Sequence, residues 1–442
     1  MRQSIETSSG SVGDREARQM EAHEDASTPS RDIHHDPWLI PASADLMSLA
    51  MSILKNLETI RPKTSRQRSN AKERRRDIVM NVVASLALIA RHYPEGTRLA
   101  ISAENTKRTR YDRIGVSREV FMQMVREMEA ARYLIRHKGA RRQARTTIEP
   151  TLHFCHLVSD MEIWFGRAEG AETIILKAST GRDRPKVLID YEDTAETETM
   201  QAEMAIVNTM LGGADIKLGT VPTPAPPFLT RRFQIDNPDE PHTFDQHGRL
   251  YGGFWMSMEK TERHLLSVNG EPVTDLDFTG MFVQLAYREA GLALPNSDPY
   301  EGIEGLPRAA AKLGISALLC RSGPMCRLPK GIRELVGNAW SAKRLSAALE
   351  ERHPGIANLF GKGLGLRLMK TESEILLAAL GQLFAQGIPA LPMHDGLMVP
   401  ASSEEAAQRA MARASISVIG VALPIAKKRI ARPNNDNSPP MD

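Results

Sequence analysis

Cysteine is scarce in this chain: only Cys155, Cys320 and Cys326 occur in 442 residues. Three scattered thiols exclude a disulfide framework and a four-cysteine zinc site. No apolar run reaches the roughly 18 residues a membrane-spanning helix needs. The first residues are polar, with no basic start leading into an apolar stretch. No secretory signal is therefore expected, and the reducing cytoplasm is the expected setting. No internal repeat with a period of roughly 20–50 residues is visible.

What is present is ordinary in amount. Apolar residues make up 41% and charged residues 25%, as in soluble globular chains. The length exceeds what one compact core serves, so two to four folded units are expected. The net charge of +3 is unevenly spread: residues 61–149 hold 22 Lys and Arg against 9 Asp and Glu, a local +13 that leaves −10 elsewhere. Such asymmetry suits one module that faces an anionic polymer and a more acidic remainder.

Residues 1–35 are polar and charged, too poor in apolar surface to offset chain entropy, and read as a disordered tail. His34 and His35 have no partners at metal-ligand spacing and read as solvated. Residues 431–442 read as a second tail. Pro222-Thr-Pro-Ala-Pro-Pro227 reads as a stiff extended linker, and Glu196–Leu211 as one helix.

Within the basic region, Asp77–Ala90 places Ile78, Val82, Val83, Leu86 and Leu88 at helical spacing. Ile114-Gly-Val-Ser117 is a turn ending on a good N-cap. Arg118–Arg132 follows, with Val120, Phe121, Met124, Val125 and Met128 on one face. Tyr133–Gly139 and Arg145–Pro150 read as two short strands joined by a basic tip. Helix, turn, helix and basic hairpin resemble the winged helix-turn-helix fold of bacterial MarR-like regulators. That resemblance implies major-groove contacts from Arg118 and Arg126 and phosphate contacts from Arg141 and Arg142 on the wing.

Three separated segments carry chemistry. Val273–Phe278 is a short β-prone run in which acidic residues are disfavoured unless compensated. After Asp277 the apolar spacing becomes helical, so Asp277 sits at a strand end where a side chain can meet a ligand. Asp275 points to the same face. Ile388–Pro400 has two apolar arms around His394-Asp395-Gly396, a hairpin signal with an acid at its tip. Two carboxylates from neighbouring strands can hold magnesium, and two such ions can activate a hydroxyl and stabilise a leaving pyrophosphate. Between them, Arg308 and Lys312 are four apart, on one helix face, and suit a triphosphate.

The order of these segments resembles the palm and reduced fingers of family A DNA polymerases, over roughly residues 230–430. Gln246-His-Gly-Arg249-Leu250 looks like the family's Gly-Arg-Leu segment. Asp277-Phe-Thr-Gly resembles motif A, Arg308 and Lys312 match motif B, and His394-Asp395-Gly resembles motif C. His353-Pro-Gly355 and Lys370-Thr-Glu-Ser-Glu-Ile-Leu resemble the segments between the last two, and a Glu404–Ser417 helix and a Val421–Ile425 strand follow the family's end. The chain also departs from the pattern. Motifs A and C lie only 118 residues apart. Phe282 stands where the family carries a Glu that helps exclude ribonucleotides, Ser316 and Cys320 replace motif B aromatics, and Gly396 replaces the acid after the second Asp.

The expected architecture is a multidomain α+β chain: tail 1–35, winged helix-turn-helix 36–150, connecting or thumb-like region 151–230, polymerase-like palm (an antiparallel sheet with helices) 231–430, and tail 431–442. The resemblance implies a DNA-binding nucleotidyltransferase that extends a 3′ end, with two Mg²⁺ ions on Asp277 and Asp395. Arg308 and Lys312 would hold the nucleoside triphosphate, Arg249 would contact primer-template DNA, and His394 would orient Asp395 or a primer phosphate. A non-catalytic DNA-binding regulator with a degenerate palm, and a polymerase that makes RNA or primers, are the alternatives.

Overall fold

The computed structural model describes residues 32–60, 69–101, 109–113, 117–139, 146–179, 186–219, 221–222, 225–239, 241–293 and 297–430. The chain is α+β and divides into two compact units. One comprises Met1–Thr106 with Ile114–Ala168, the other Lys107–Arg113 with Glu169–Asp442. No helix among the described residues is long and apolar enough to cross a membrane.

The first unit runs β1 (Ile33–His34), β2 (Leu39–Pro41), α1 (Ala44–Ile60), α2 (Ser69–His92), β3 (Leu99–Ile101), α3 (Arg118–Ala130), β4 (Leu134–His137), β5 (Thr146–Pro150), α4 (Leu152–Val158) and β6 (Phe165–Arg167). β4 and β5 form an antiparallel hairpin, β3 adds to β5, and β1 runs parallel to β3. The periodic apolar stripes become the core: Ile78, Val82, Val83 and Leu86 of α2 and Met124, Val125 and Met128 of α3 are buried. Ser117 caps α3 by accepting a hydrogen bond from the Val120 amide at 3.3 Å. Arg75 and Glu127, both buried, pair at 2.8 Å and tie α2 to α3.

The structure corrects the reading of the segment around His34 and His35, where order begins earlier than composition suggests. Ile33 and His34 are in β1. His35 is not solvated: its Nε2 meets Asn81 Oδ1 at 2.6 Å and its ring lies 5.0 Å from Phe121. Asn81 also donates to the carbonyls of Asp36 and Leu39. One buried asparagine thus fastens this polar segment, a contact that composition cannot register. The tip residues Arg141 and Arg142 and the segments 1–31 and 431–442 lie outside the described residues.

The second unit holds β7 (Ile174–Ala178), β8 (Val187–Leu188), α5 (Ala195–Gly212), β9 (Ile216–Leu218), β10 (Val221–Pro222), β11 (Thr230–Ile235), β12 (His247–Tyr251), β13 (Leu266–Val268) and β14 (Glu271–Phe278). Then come α6 (Met281–Glu289), α7 (Arg308–Cys320), α8 (Ile332–Val336), α9 (Ala342–Arg352), α10 (Gly365–Phe384), β15 (Leu391–Pro392), β16 (Gly396–Pro400), α11 (Glu404–Ile419) and β17 (Ile425–Lys428). One sheet is antiparallel, ordered β10-β9-β13-β14-β16-β15 with β17 also on β14. A second is ordered β12-β11-β7-β8. The region 151–230 is therefore more than a connection, because β7 pairs in parallel with β11 inside the second sheet. Thr194 and Thr197 form a capping box that starts α5.

The last strand also differs from expectation. The sequence suggests Val421–Ile425, but α11 ends at the left-handed Gly420 and the strand begins only at Ile425. The Pro424 carbonyl first accepts the Thr279 amide at 2.8 Å. Proline has no N–H to give the ladder, so pairing starts after it.

Candidate active site

β14 lies inside the antiparallel sheet and pairs with three strands, β13 at its start and β16 and β17 along its later residues. In its register Asp277 faces Gly396, and the Phe278 amide donates to the Asp395 carbonyl at 2.9 Å. The hairpin β15–β16 is closed by the Met393 amide on the Gly396 carbonyl at 2.8 Å, with His394 and Asp395 in the turn. Strand end and hairpin tip thus bring Asp277 and Asp395 together although 118 residues separate them in the chain. Gly280, left-handed at φ 63°, then turns β14 into α6 beside Pro299 and Tyr300.

Gly396 has a steric reason. A Cβ there would lie 2.2 Å from the Leu276 carbonyl oxygen and 3.0 Å from both Asp277 Cα and Oδ1. Only a residue without a side chain fits where the two strands that make the carboxyl pair approach this closely.

Asp277 is 9% exposed and its two oxygens differ. Oδ2 accepts an ion pair from Lys428 Nζ at 2.7 Å. Oδ1 is buried and, among the described residues, has no hydrogen-bond partner outside the carboxyl pair itself. Burial and the Asp395 charge raise the Asp277 carboxyl well above its ordinary value, against the pull of Lys428. Burial alone would raise Asp395 too, but Lys428, the hydrogen bond with Asp277 and the Lys312 charge bring it below its ordinary value. The donors are all hard oxygens, and an orphaned buried carboxylate oxygen beside a second carboxylate fits a divalent ion such as magnesium. Among the described residues no group of three or more His, Cys, Asp or Glu side chains is arranged to hold a metal ion, so the candidate site rests on the two carboxylates. Asp275, on the same face, is pinned by Arg263 at 3.0 Å.

The cations expected around the pair take distinct places. Lys312 is an exposed residue of α7, and its field reaches Asp395. Arg308, at the start of α7, is held by Asp298 at 2.7 Å and sits 5.3 Å over the Tyr300 ring. Tyr300 is buried, and its hydroxyl is pushed up to about 12, first by burial and in part by Asp395 and Asp277. Arg249, on β12, pairs with Glu372 at 2.7 Å and lies 5.5 Å over the Phe282 ring. His394 packs 5.4 Å from Tyr251, and its Nδ1 is buried without a partner among the described residues. Burial and Arg249 lower its pKa, against Asp395. Outside this site, Arg118 is partly buried at the start of α3 and Arg126 is exposed on it.

Lys428, Glu372 and Arg263 are site residues that the sequence reading does not single out. Glu372 is fully buried on α10, held there because β12 packs on that helix. Buried Arg231 links the two by donating to the Gly248 carbonyl at 3.1 Å and to Ser373 Oγ at 3.3 Å. Burial pushes the Glu372 carboxyl up to about 8, Arg249 pulls it down, and Asp395 and Asp277 push it further up. An acid raised on folding costs stability as pH climbs above its unfolded value, until its folded value is passed. The fold should therefore lose stability from pH 4.5 to about 8 on this group's account. Thermal melts at the two ends of that window should show a smaller loss in Glu372→Gln, which keeps an acceptor for Arg249. An equal loss in both chains would mean that Glu372 is ionised throughout.

No protein-family model matches the chain, and no curated protein matches it in sequence.

Proposed function

We propose that this chain is a magnesium-dependent nucleotidyltransferase, a compact relative of family A polymerases that extends a nucleic-acid 3′ end with nucleoside triphosphates. The observation that carries the reading is the Asp277–Asp395 pair, set side by side by β14 and the β15–β16 hairpin, with one buried carboxylate oxygen that no described group outside the pair reaches. The palm reading draws support from the antiparallel sheet with α11 packed on β14, β16 and β17 and α10 packed on α11. The winged-helix reading draws support from α2, α3 and the β4–β5 hairpin, together with the basic balance of 61–149. In that reading the first unit holds duplex DNA by phosphate contacts.

Asp277 and Asp395 would hold magnesium, which when bound supplies charge stabilisation of the transferring phosphoryl group and lowers the pKa of the attacking hydroxyl. Lys312, whose charge acts on Asp395, would neutralise triphosphate oxygens there. Arg308 is fixed by Asp298 rather than free, so its guanidinium meets a triphosphate from one preset direction. Arg249, clamped by Glu372, offers its remaining donors to the primer-template. Phe282 beneath Arg249 presents an apolar face where a sugar would pass. Catalysis of this kind needs positioning and charge, with no covalent intermediate.

The test supplies dNTPs and NTPs in separate reactions, with and without a template strand, in magnesium. Expected is primer extension that vanishes with a chelator, the sugar preference being read from the two arms. Failure of every arm with folded, DNA-bound protein would sink the reading.

A further inference from the structure

We infer that Lys428 is the resident counter-ion of the carboxylate pair and competes with the divalent ion for Asp277, so that loading the ion requires the ammonium to leave. This rests on the proposed reading of the site as a divalent-ion centre. β17 reaches the site only through its register on β14: Lys428 lies opposite Asp275, and Ala426 opposite Asp277. From there the long lysine stem crosses diagonally and places Nζ 2.7 Å from Asp277 Oδ2. Its charge is felt by all three acids of the strand end and hairpin, Asp275, Asp277 and Asp395.

The neighbouring cations are committed elsewhere. Lys427 points to the other face and pairs with Glu404 at 2.6 Å, and Arg263 pairs with Asp275. Lys428 is therefore the cation in contact with Asp277, leaving Oδ1 as the face open toward Asp395. The two partners differ in freedom. The Asp277 side chain is 13% exposed and fixed by the sheet, whereas the Lys428 side chain is 43% exposed on a flexible stem. An ion entering between the carboxylates meets a positive charge already docked there, and the side chain able to yield is the lysine. The ammonium thus holds the paired carboxylates in place while no ion is bound, and sets how much ion is needed to load them.

The measurement is Mn²⁺ binding to the full-length chain, read from the electron paramagnetic resonance signal of free Mn²⁺, with no nucleotide and no turnover. Lys428→Met should bind Mn²⁺ about ten- to a hundredfold more tightly, the order expected for removing one like charge at contact distance in a partly solvated site. Lys428→Arg should stay near wild type, and Asp277→Asn placed in the Lys428→Met chain should lose the gain. An independent readout uses the wild type alone. Acylation of Lys428, followed by mass spectrometry, should speed up as Mn²⁺ is added, while that of Lys427 should not. If Lys428→Met and wild type bind the ion equally, or acylation of Lys428 ignores the ion, the competition is wrong and the ion site stands. If neither chain binds Mn²⁺ and Asp395→Asn changes nothing, the ion-site reading itself falls, and this inference with it.

Discussion

Asp277→Asn and Asp395→Asn should each lower magnesium-dependent nucleotide incorporation by about a thousandfold or more while leaving the fold intact, the scale seen when a charge-stabilising group is removed from a preorganised site. Asparagine keeps the shape of aspartate, so the β14–β16 register and the Phe278–Asp395 backbone hydrogen bond survive. What is lost is the negative charge that an ion needs. The stability cost at Asp277 should be small, because burial and the Asp395 charge both disfavour its ionised form in the fold. Neutralising it relieves that repulsion, and Lys428, almost half exposed, is rehydrated cheaply. The two losses should not add. Acids that act as one unit give a double variant no worse than either single one. Incorporation assays paired with thermal melts separate the cases. A fall in rate without a fall in melting temperature supports the assignment, and both variants staying within about tenfold of wild type would remove it.

The two acids could be read from the sequence because each breaks a local rule. Asp277 ends an apolar β-run, and Asp395 sits between two apolar arms. Lys428 breaks none. It belongs to a basic stretch that looks solvated, and its contact with Asp277 depends on a strand that starts after Pro424 rather than at Val421. Glu372 had a signal. Counting by helical steps, Leu368, Glu372, Ile375, Leu376, Ala379, Leu380 and Leu383 form one buried stripe, and an acid in that stripe demands a buried partner. The surrounding Lys370-Thr-Glu-Ser-Glu374 masks it as ordinary surface charge. Its partner Arg249 lies 123 residues away, and a pairing at that distance leaves no periodic trace. The helices and hairpins follow from local spacing and caps. The sheet order, with β7 joining β11 and β17 joining β14, follows from contacts across the whole chain.

Gly396→Ala should cost both folding and chemistry, and more than any other single methyl group added at the site. Its Cβ would fall 2.2 Å from the Leu276 carbonyl oxygen, a backbone atom in a strand hydrogen-bonded along both edges, which cannot rotate away as a side-chain tip could. Relief requires β14 and β16 to separate, and forced overpacking of this kind costs about 1–3 kcal/mol. The same movement parts Asp277 from Asp395, so ion binding and incorporation should fall together with stability. Gly381→Ala is the matched control. Gly381 lies on the exposed side of α10 with nothing within 4 Å of a built Cβ. Alanine there should stabilise the helix by about 0.5–1 kcal/mol and leave the site alone. One substitution type thus carries opposite signs at two positions, readable from denaturant midpoints and from Mn²⁺ binding. Should Gly396→Ala melt and bind ions as wild type does, the strands are not in the close contact that forms the carboxylate pair, and the geometry on which the proposed chemistry stands would be wrong.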